Sequence, residues 1–254
     1  MPAAETRSVY PPVLRHRRLL MGGLAAALFG GAALARTVGS GREASESRPV
    51  SDFDAIAVSD AIDLMVRQAD KESLTLTADD NVLPLVEAVV ESGQRGRTLV
   101  IRLRQGETVS TRRAIKATVD VVRLTALASA GSGNTTVGSL KTPSLRLSMA
   151  GSGEMRLDGL TADALEVRVA GSGAVAGSGT AAQVKLTIAG SGDADLAALA
   201  ADHVTVSIAG SGDAKVTANQ SLSAKVAGSG DVVYGGAVKA VRTSVAGSGS
   251  ITRR

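Results

Sequence analysis

The chain has no cysteine, no tryptophan, two phenylalanines, two tyrosines and two histidines among its 254 residues. The missing thiols exclude a disulfide framework, a thiolate zinc site, a catalytic cysteine and a lipidated lipoprotein cysteine. The histidines are His16 and His203, so a histidine-cluster metal site is excluded as well. So few aromatic faces leave little for stacking sugars or bases. Yet 44% of the chain is hydrophobic, and that fraction must be almost entirely Ala, Val, Leu and Ile. A core of small and β-branched residues calls for thin, regular layers, and β-branched enrichment favours strands.

The N-terminus carries an export pattern. Arg15, His16, Arg17 and Arg18 form a basic stretch, and Leu19 to Leu34 follow without a charge. Ala33-Leu34-Ala35 then supplies the small-x-small pattern of a signal peptidase site, so residues 1–35 are expected to be a signal peptide cleaved after Ala35. The alternative is an inner-membrane anchor over residues 19–34, which is short against the roughly 20 residues a spanning helix needs. Without residues 1–35, 24 basic and 23 acidic side chains remain, and the net charge falls from +4 to +1. Nucleic-acid binding thereby loses its compositional support. Residues 36–49, rich in Gly, Ser, Arg and Glu, are expected to form a solvated linker.

A repeat organises the C-terminal half of the chain. Ala-Gly-Ser-Gly begins at Ala130, Ala150, Ala170, Ala189, Ala209, Ala227 and Ala246, at spacings of 18 to 20 residues. Such a period points to a solenoid. Before each corner apolar residues alternate with polar ones: Leu145, Leu147, Met149; Leu165, Val167, Val169; Val184, Leu186, Ile188; Val204, Val206, Ile208. The period of two identifies half-buried strands. After each corner a second inward pair follows, as in Met155 with Leu157 or Ala214 with Val216. One coil cannot bury both strands, whereas coils stacked in register form apolar columns and pair every backbone edge. The expected fold is therefore all-β, a parallel β-helix of about 20-residue coils with Gly-Ser-Gly corners. At roughly 4.8 Å per layer, seven coils span about 34 Å. An extra copy at Ala176 lies out of step and is expected in a loop.

Residues 50–119 read as a β-rich cap region and 120–254 as the repeats, together one continuous domain over 50–254. Ile62, Leu64 and Val66, then Leu74 and Leu76, then Leu99, Ile101 and Leu103 mark strands. Asp80-Asn81 ahead of Val82–Val90, with Pro84 in the first turn, predicts a short helix capping the open end of the first coil.

The candidate chemistry is sparse. The Gly-Ser-Gly turns resemble phosphate cradles only loosely, because each leads into a strand rather than a helix. Asp193, Asp213 and Asp231 follow successive corners, with Glu154 at the same place earlier. They are calcium candidates, although ladder spacing does not converge oxygens at 2.3–2.6 Å and calcium-binding β-rolls have a period of nine; solvated turn acids are the simpler reading. His203 beside Asp202 lacks a defined serine partner. No catalytic or cofactor-binding residue stands out, and no cofactor is called for.

The segment Phe53-Asp54-Ala55-Ile56-Ala57-Val58, then Leu74 to Leu83, then Thr98-Leu99-Val100-Ile101, then repeated Ala-Gly-Ser-Gly-Asp resembles the head GIN domain family, described as an auto-transporter adhesin head. The resemblance covers about residues 48–250. It implies an exported bacterial envelope protein of β-helix-like architecture and brings no catalytic residues with it. The expected function is a periplasmic or secreted, non-enzymatic adhesion-type or scaffold module with an envelope or surface ligand. A polysaccharide lyase or glycosidase is the alternative, and a membrane-tethered sensor a third if residues 19–34 stay attached.

Overall fold

The corner glycines dictate the architecture. In the computed structural model, which describes residues 36–93 and 96–254, Gly131, Gly151, Gly171, Gly190, Gly210, Gly228 and Gly247 stack in one parallel register. Each has a positive φ, between +112° and +144°. A Cβ on Gly210 would stand 2.1 Å from the carbonyl oxygen of Gly190 in the coil below. Both the dihedral and the close approach therefore require glycine.

The predicted alternation is observed. Leu145, Leu165, Val184, Val204 and Leu222 form one buried column; Leu147, Val167, Leu186, Val206 and Ala224 form the next; Met149, Val169, Ile188, Ile208 and Val226 form the third. At about 1.5–3 kcal/mol per buried aliphatic side chain, each layer offsets a substantial part of the ordering entropy of its backbone. Leu140–Gly151, Glu154–Gly171, Ala174–Gly190, Asp193–Gly210 and Ala214–Gly228 are almost continuous strands that bend at corners, and together they make the all-β solenoid the repeat implied. The copy at Ala176 lies in no loop. It falls within the strand Ala174–Gly190, where Gly179, at φ +125°, pairs with Leu160 below and Leu199 above. Its Gly-Ser-Gly makes a further corner of the same coil.

Layer order departs from chain order. The coil of Ala55–Asp60 and Ile62–Gln68 is flanked on one side by Gly96–Leu103 and Ile115–Val121, and on the other by Ala126–Gly131 and Thr135–Val137. Residues 50–119 thus supply solenoid layers as well as a cap, and one buried cluster runs from Phe53 to Val232 without a break at 120. Asp60 occupies the first place of the glycine column, opposite Gly131, at φ +66°. Its Oδ2 accepts the Leu103 N–H at 2.9 Å, a local bond of the kind that lets Asp tolerate this region.

The N-terminal end is closed by strands. Ser73–Asp79 runs antiparallel to Ile115–Val121 and to Glu43–Arg48, while Val86–Gly93 runs antiparallel to Gly96–Leu103. The expected capping helix is a single 3-10 turn, Leu83–Leu85, with Pro84 inside it. Val86, Val89 and Val90 leave it as strand, because the edge of Gly96–Leu103 offers these β-branched residues a partner ladder. Residues 36–49 form no solvated linker. Arg36–Val38 pairs with Thr108–Ser110, and Glu43–Arg48 joins the cap, so unpaired backbone is satisfied by pairing instead of by water. The signal-peptide and anchor readings, residues 1–35 and 19–34, lie outside the described residues. Among those described, no helix is long and apolar enough to cross a membrane.

Candidate functional site

The corner acids form a ladder with a mechanical role. The Oδ1 of Asp193 accepts the backbone N–H of Asp213 at 2.9 Å, that of Asp213 accepts the N–H of Asp231 at 2.8 Å, and that of Asp231 accepts the N–H and the hydroxyl of Ser250 at 2.7 and 2.8 Å. Earlier in the column, Asp63 accepts from the Asn134 N–H and the Asn134 side-chain oxygen from the Glu154 N–H. An acceptor at this position ties each coil to the next, and such charge-assisted bonds are among the stronger ones. Asp193, Asp213 and Asp231, the calcium candidates, thus each direct an oxygen along the stack. Among the described residues no three His, Asp or Glu side chains converge in a cluster fit for a metal ion.

His203 pairs with a serine, as a nucleophilic reading would ask. Its Nδ1 lies 2.9 Å from Ser221 Oγ, one coil further on. The pair is exposed, and residues 203 and 221 are register partners, so the contact has the same stacking origin as the acid ladder. The sequence gives no hint of it, since the spacing of 18 becomes a contact only once the coils stack.

Beside this pair lies a charged knot on the outer face. Glu166 meets Arg146 at 3.1 Å, Arg168 at 2.8 Å and Lys185 at 3.7 Å. Partial burial works to raise the Glu166 carboxyl, but the bonds and charges of Arg146, Arg168 and Lys185 outweigh it and hold its pKa below the usual value. A shallow groove of about 350 Å³ runs past the knot, lined by Ser144, Glu166, Gln183, Lys185, His203 and Thr205. The groove crosses four neighbouring strands, and Ala164, Leu165 and Val184 line it between the polar side chains.

Two further polar clusters belong to the cap. Glu72 accepts the N–H groups of Asp52 and Phe53 at 2.5 and 3.4 Å, Arg97 lies 3.3 Å from Asp52, and Asp52 holds φ +59°. The aspartate of the Phe53-Asp54 pair is packed under Gly96, whose Cβ would sit 2.5 Å from Asp54 Oδ1. At the other cluster Asp79 is buried; its Oδ2 accepts from Thr111 Oγ1 at 2.6 Å, and Arg113 Nε stands 3.8 Å from its Oδ1. Asp80 and Asn81, read in sequence as a helix cap, instead fasten the N-terminal strand. Asn81 donates to the Val38 carbonyl and accepts from the Ser40 N–H, and Asp80 accepts from the Ser40 hydroxyl and pairs with Arg42. The Ser40 bond leads the effects on Asp80 and lowers its pKa. A polar pair before an apolar run carries the same sequence signature whether it caps a helix or anchors a distant strand.

The family model described as "Putative auto-transporter adhesin, head GIN domain" matches residues 52–238. Among solved structures, a putative adhesin from Bacteroides fragilis NCTC 9343 superposes with a TM-score of 0.80 at 26% identity, covering 85% of this chain and 99% of that one. A putative lipid binding protein from Parabacteroides distasonis ATCC 8503 gives 0.71 at 27% identity, over 87% of this chain and 100% of that one. A putative adhesin from Parabacteroides merdae ATCC 43184, at 22% identity and 0.66, shares the fold over 86% and 99%. Comparison with curated proteins finds no match.

Proposed function

Because the chain belongs to the head GIN domain family of adhesin type, we propose that it is an exported, non-enzymatic binding module of the bacterial cell envelope, periplasmic or secreted, that adheres through its outer face. The observation that carries this reading is the filled solenoid. The interior is packed with aliphatic columns, which leaves recognition to the outer surface, where polar side chains recur from coil to coil. Contacts of that kind add up over many weak sites, the way multivalent surfaces hold. The knot of Arg146, Glu166, Arg168 and Lys185 and the adjoining Gln183 and His203 are the residues assigned to that face. Their mutual pairing suits hydrogen bonding to an envelope or surface polymer better than proton transfer to a substrate. No nucleic acid is assigned as partner, and membrane contact is limited to the N-terminal segment if it is retained.

Export is tested by fractionating cells and sequencing the N-terminus of the mature protein. Arg36 as the first residue of protein recovered from the periplasm or medium is the expected result. Protein confined to the cytoplasm with Met1 retained would overturn the compartment.

A further inference from the structure

A cavity of about 740 Å³ opens in the cap, walled by Gly39, Ser40 and Gly41 together with Asp79, Arg112 and Arg113. It shares no residue with the groove beside the charged knot, and its size is that of a small-molecule site. Asp79 is the unusual group in its wall. The residue is only 2% exposed, and its Oδ2 is committed: it accepts from Thr111 Oγ1 at 2.6 Å and lies so close to Gly39 that a Cβ there would collide with it. Oδ1 receives no hydrogen bond. Arg113 Nε stands 3.8 Å from it, near enough for charge but too far for a bond, and Arg113 also meets Glu43 at 3.4 Å. A buried carboxylate oxygen without a donor is costly, and folded proteins rarely keep one that nothing else satisfies.

Arg112 has the complementary need. Its neighbours Arg42 and Arg113 each meet a carboxylate, Asp80 at 2.8 Å and Glu43 at 3.4 Å, whereas Arg112 forms no ion pair among the described residues. The cavity thus holds an acceptor that lacks a donor and a cation that lacks an anion. Space is left for a ligand: a Cβ on Gly41, at φ +78°, would meet nothing within 4 Å. The charges select what can enter. A metal ion or an ammonium group at Oδ1 would be set against Arg113, and among the described residues no three acids converge to hold a metal. A hydroxyl supplies the donor without a charge. The single free guanidinium matches the one charge of a carboxylate better than the nearly two of a phosphate monoester.

We propose that this cavity binds a hexuronate residue of an acidic polysaccharide, with a ring hydroxyl donating to Asp79 Oδ1 and the carboxylate paired with Arg112. A uronate carries both groups on one ring, so one sugar meets both needs. The inference rests on the chain being a binding module and adds to it a second site with a stated ligand chemistry.

The test titrates the purified chain with methyl β-glucuronide and follows its backbone amides by NMR. Saturable shifts centred on residues 39–41 and 110–113 are expected. Methyl β-glucoside lacks the carboxylate and cyclohexanecarboxylate lacks the hydroxyls, and each is expected to bind at least about tenfold more weakly. Arg112→Gln, an exposed change, is expected to weaken the glucuronide to the level of the glucoside and to leave thermal unfolding unchanged. Asp79→Asn, which keeps the size of the buried side chain, is expected to remove the advantage of the glucuronide over cyclohexanecarboxylate; should that variant not fold, Arg112→Gln decides. No saturable shift, equal binding of the glucoside, of cyclohexanecarboxylate or of glucose 6-phosphate, or an affinity unchanged by Arg112→Gln would overturn the proposal. So would shifts confined to the groove beside the knot. None of these failures touches the exported compartment or adhesion by the polar outer face, which are measured separately.

Discussion

The backbone N–H of Asp213 donates to the Oδ1 of Asp193 in the neighbouring coil at 2.9 Å. A recurring acid that looks in sequence like a metal ladder is here a series of hydrogen-bond acceptors. Asp213→Ala removes the acceptor for the Asp231 N–H and is expected to cost roughly 0.5–1.5 kcal/mol. Asp213→Asn keeps a side-chain oxygen and should cost less. Urea unfolding of the two variants measures the difference; equal losses would contradict the ladder role.

The same ladder bears on calcium. With each carboxylate directed along the stack, adding calcium or a chelator is expected to leave the melting temperature of the purified chain unchanged. Calorimetry that shows a rise with added calcium, abolished in Asp213→Ala, would assign these acids to an ion instead.

Glycine in the corner column is required for space as well as for dihedral angle. Gly210→Ala combines a positive φ with a Cβ 2.1 Å from the Gly190 oxygen, and is expected to destabilise by on the order of 3 kcal/mol. Gly106, at φ +86° with open space around its missing side chain, carries the dihedral cost alone. Gly106→Ala should cost about 1–2 kcal/mol. Thermal unfolding of both proteins separates the two contributions.

Acid should loosen the outer face in a defined direction. The Glu166 and Asp120 carboxyls are both held below their ordinary pKa. Burial opposes the shift at Glu166 but is outweighed by Arg146, Arg168 and Lys185, while the Ser73 hydroxyl leads at Asp120, supported by Arg67. A depressed folded-state pKa contributes stability that is fully present above the unfolded value, roughly pH 4, and is lost as pH falls through the folded value. Stability is therefore expected to decline below about pH 4, and Glu166→Gln to decline less steeply there. Denaturant titrations over that range measure the slope.

Residue-level patterns exposed the solenoid because its rule is local: three alternating aliphatics, a glycine corner and a short inward pair recur within one coil. Layer order was hidden, because nothing in Ala55–Gln68 indicates that the chain will return on both sides of it. Asp60 gave no sign either. It stands where every later coil has glycine, and its role is visible only through its bond to the Leu103 N–H. In the cap, Val82–Val90 carries an apolar pattern that suits a helix or a strand, and the free edge of Gly96–Leu103 decided between them. The outer knot was equally hidden in part. Arg146, Glu166 and Lys185 are plain polar positions in sequence and become one cluster only when spacings of 20 and 19 residues turn into neighbouring layers.

The direct test of a binding module without catalysis joins adhesion to product detection in one experiment. Beads carrying residues 36–254 are placed on immobilised polysaccharides, and retention is recorded together with reducing ends in the medium. Retention with no release of reducing ends is the predicted result. Release of reducing ends that one carboxylate substitution abolishes would contradict the account.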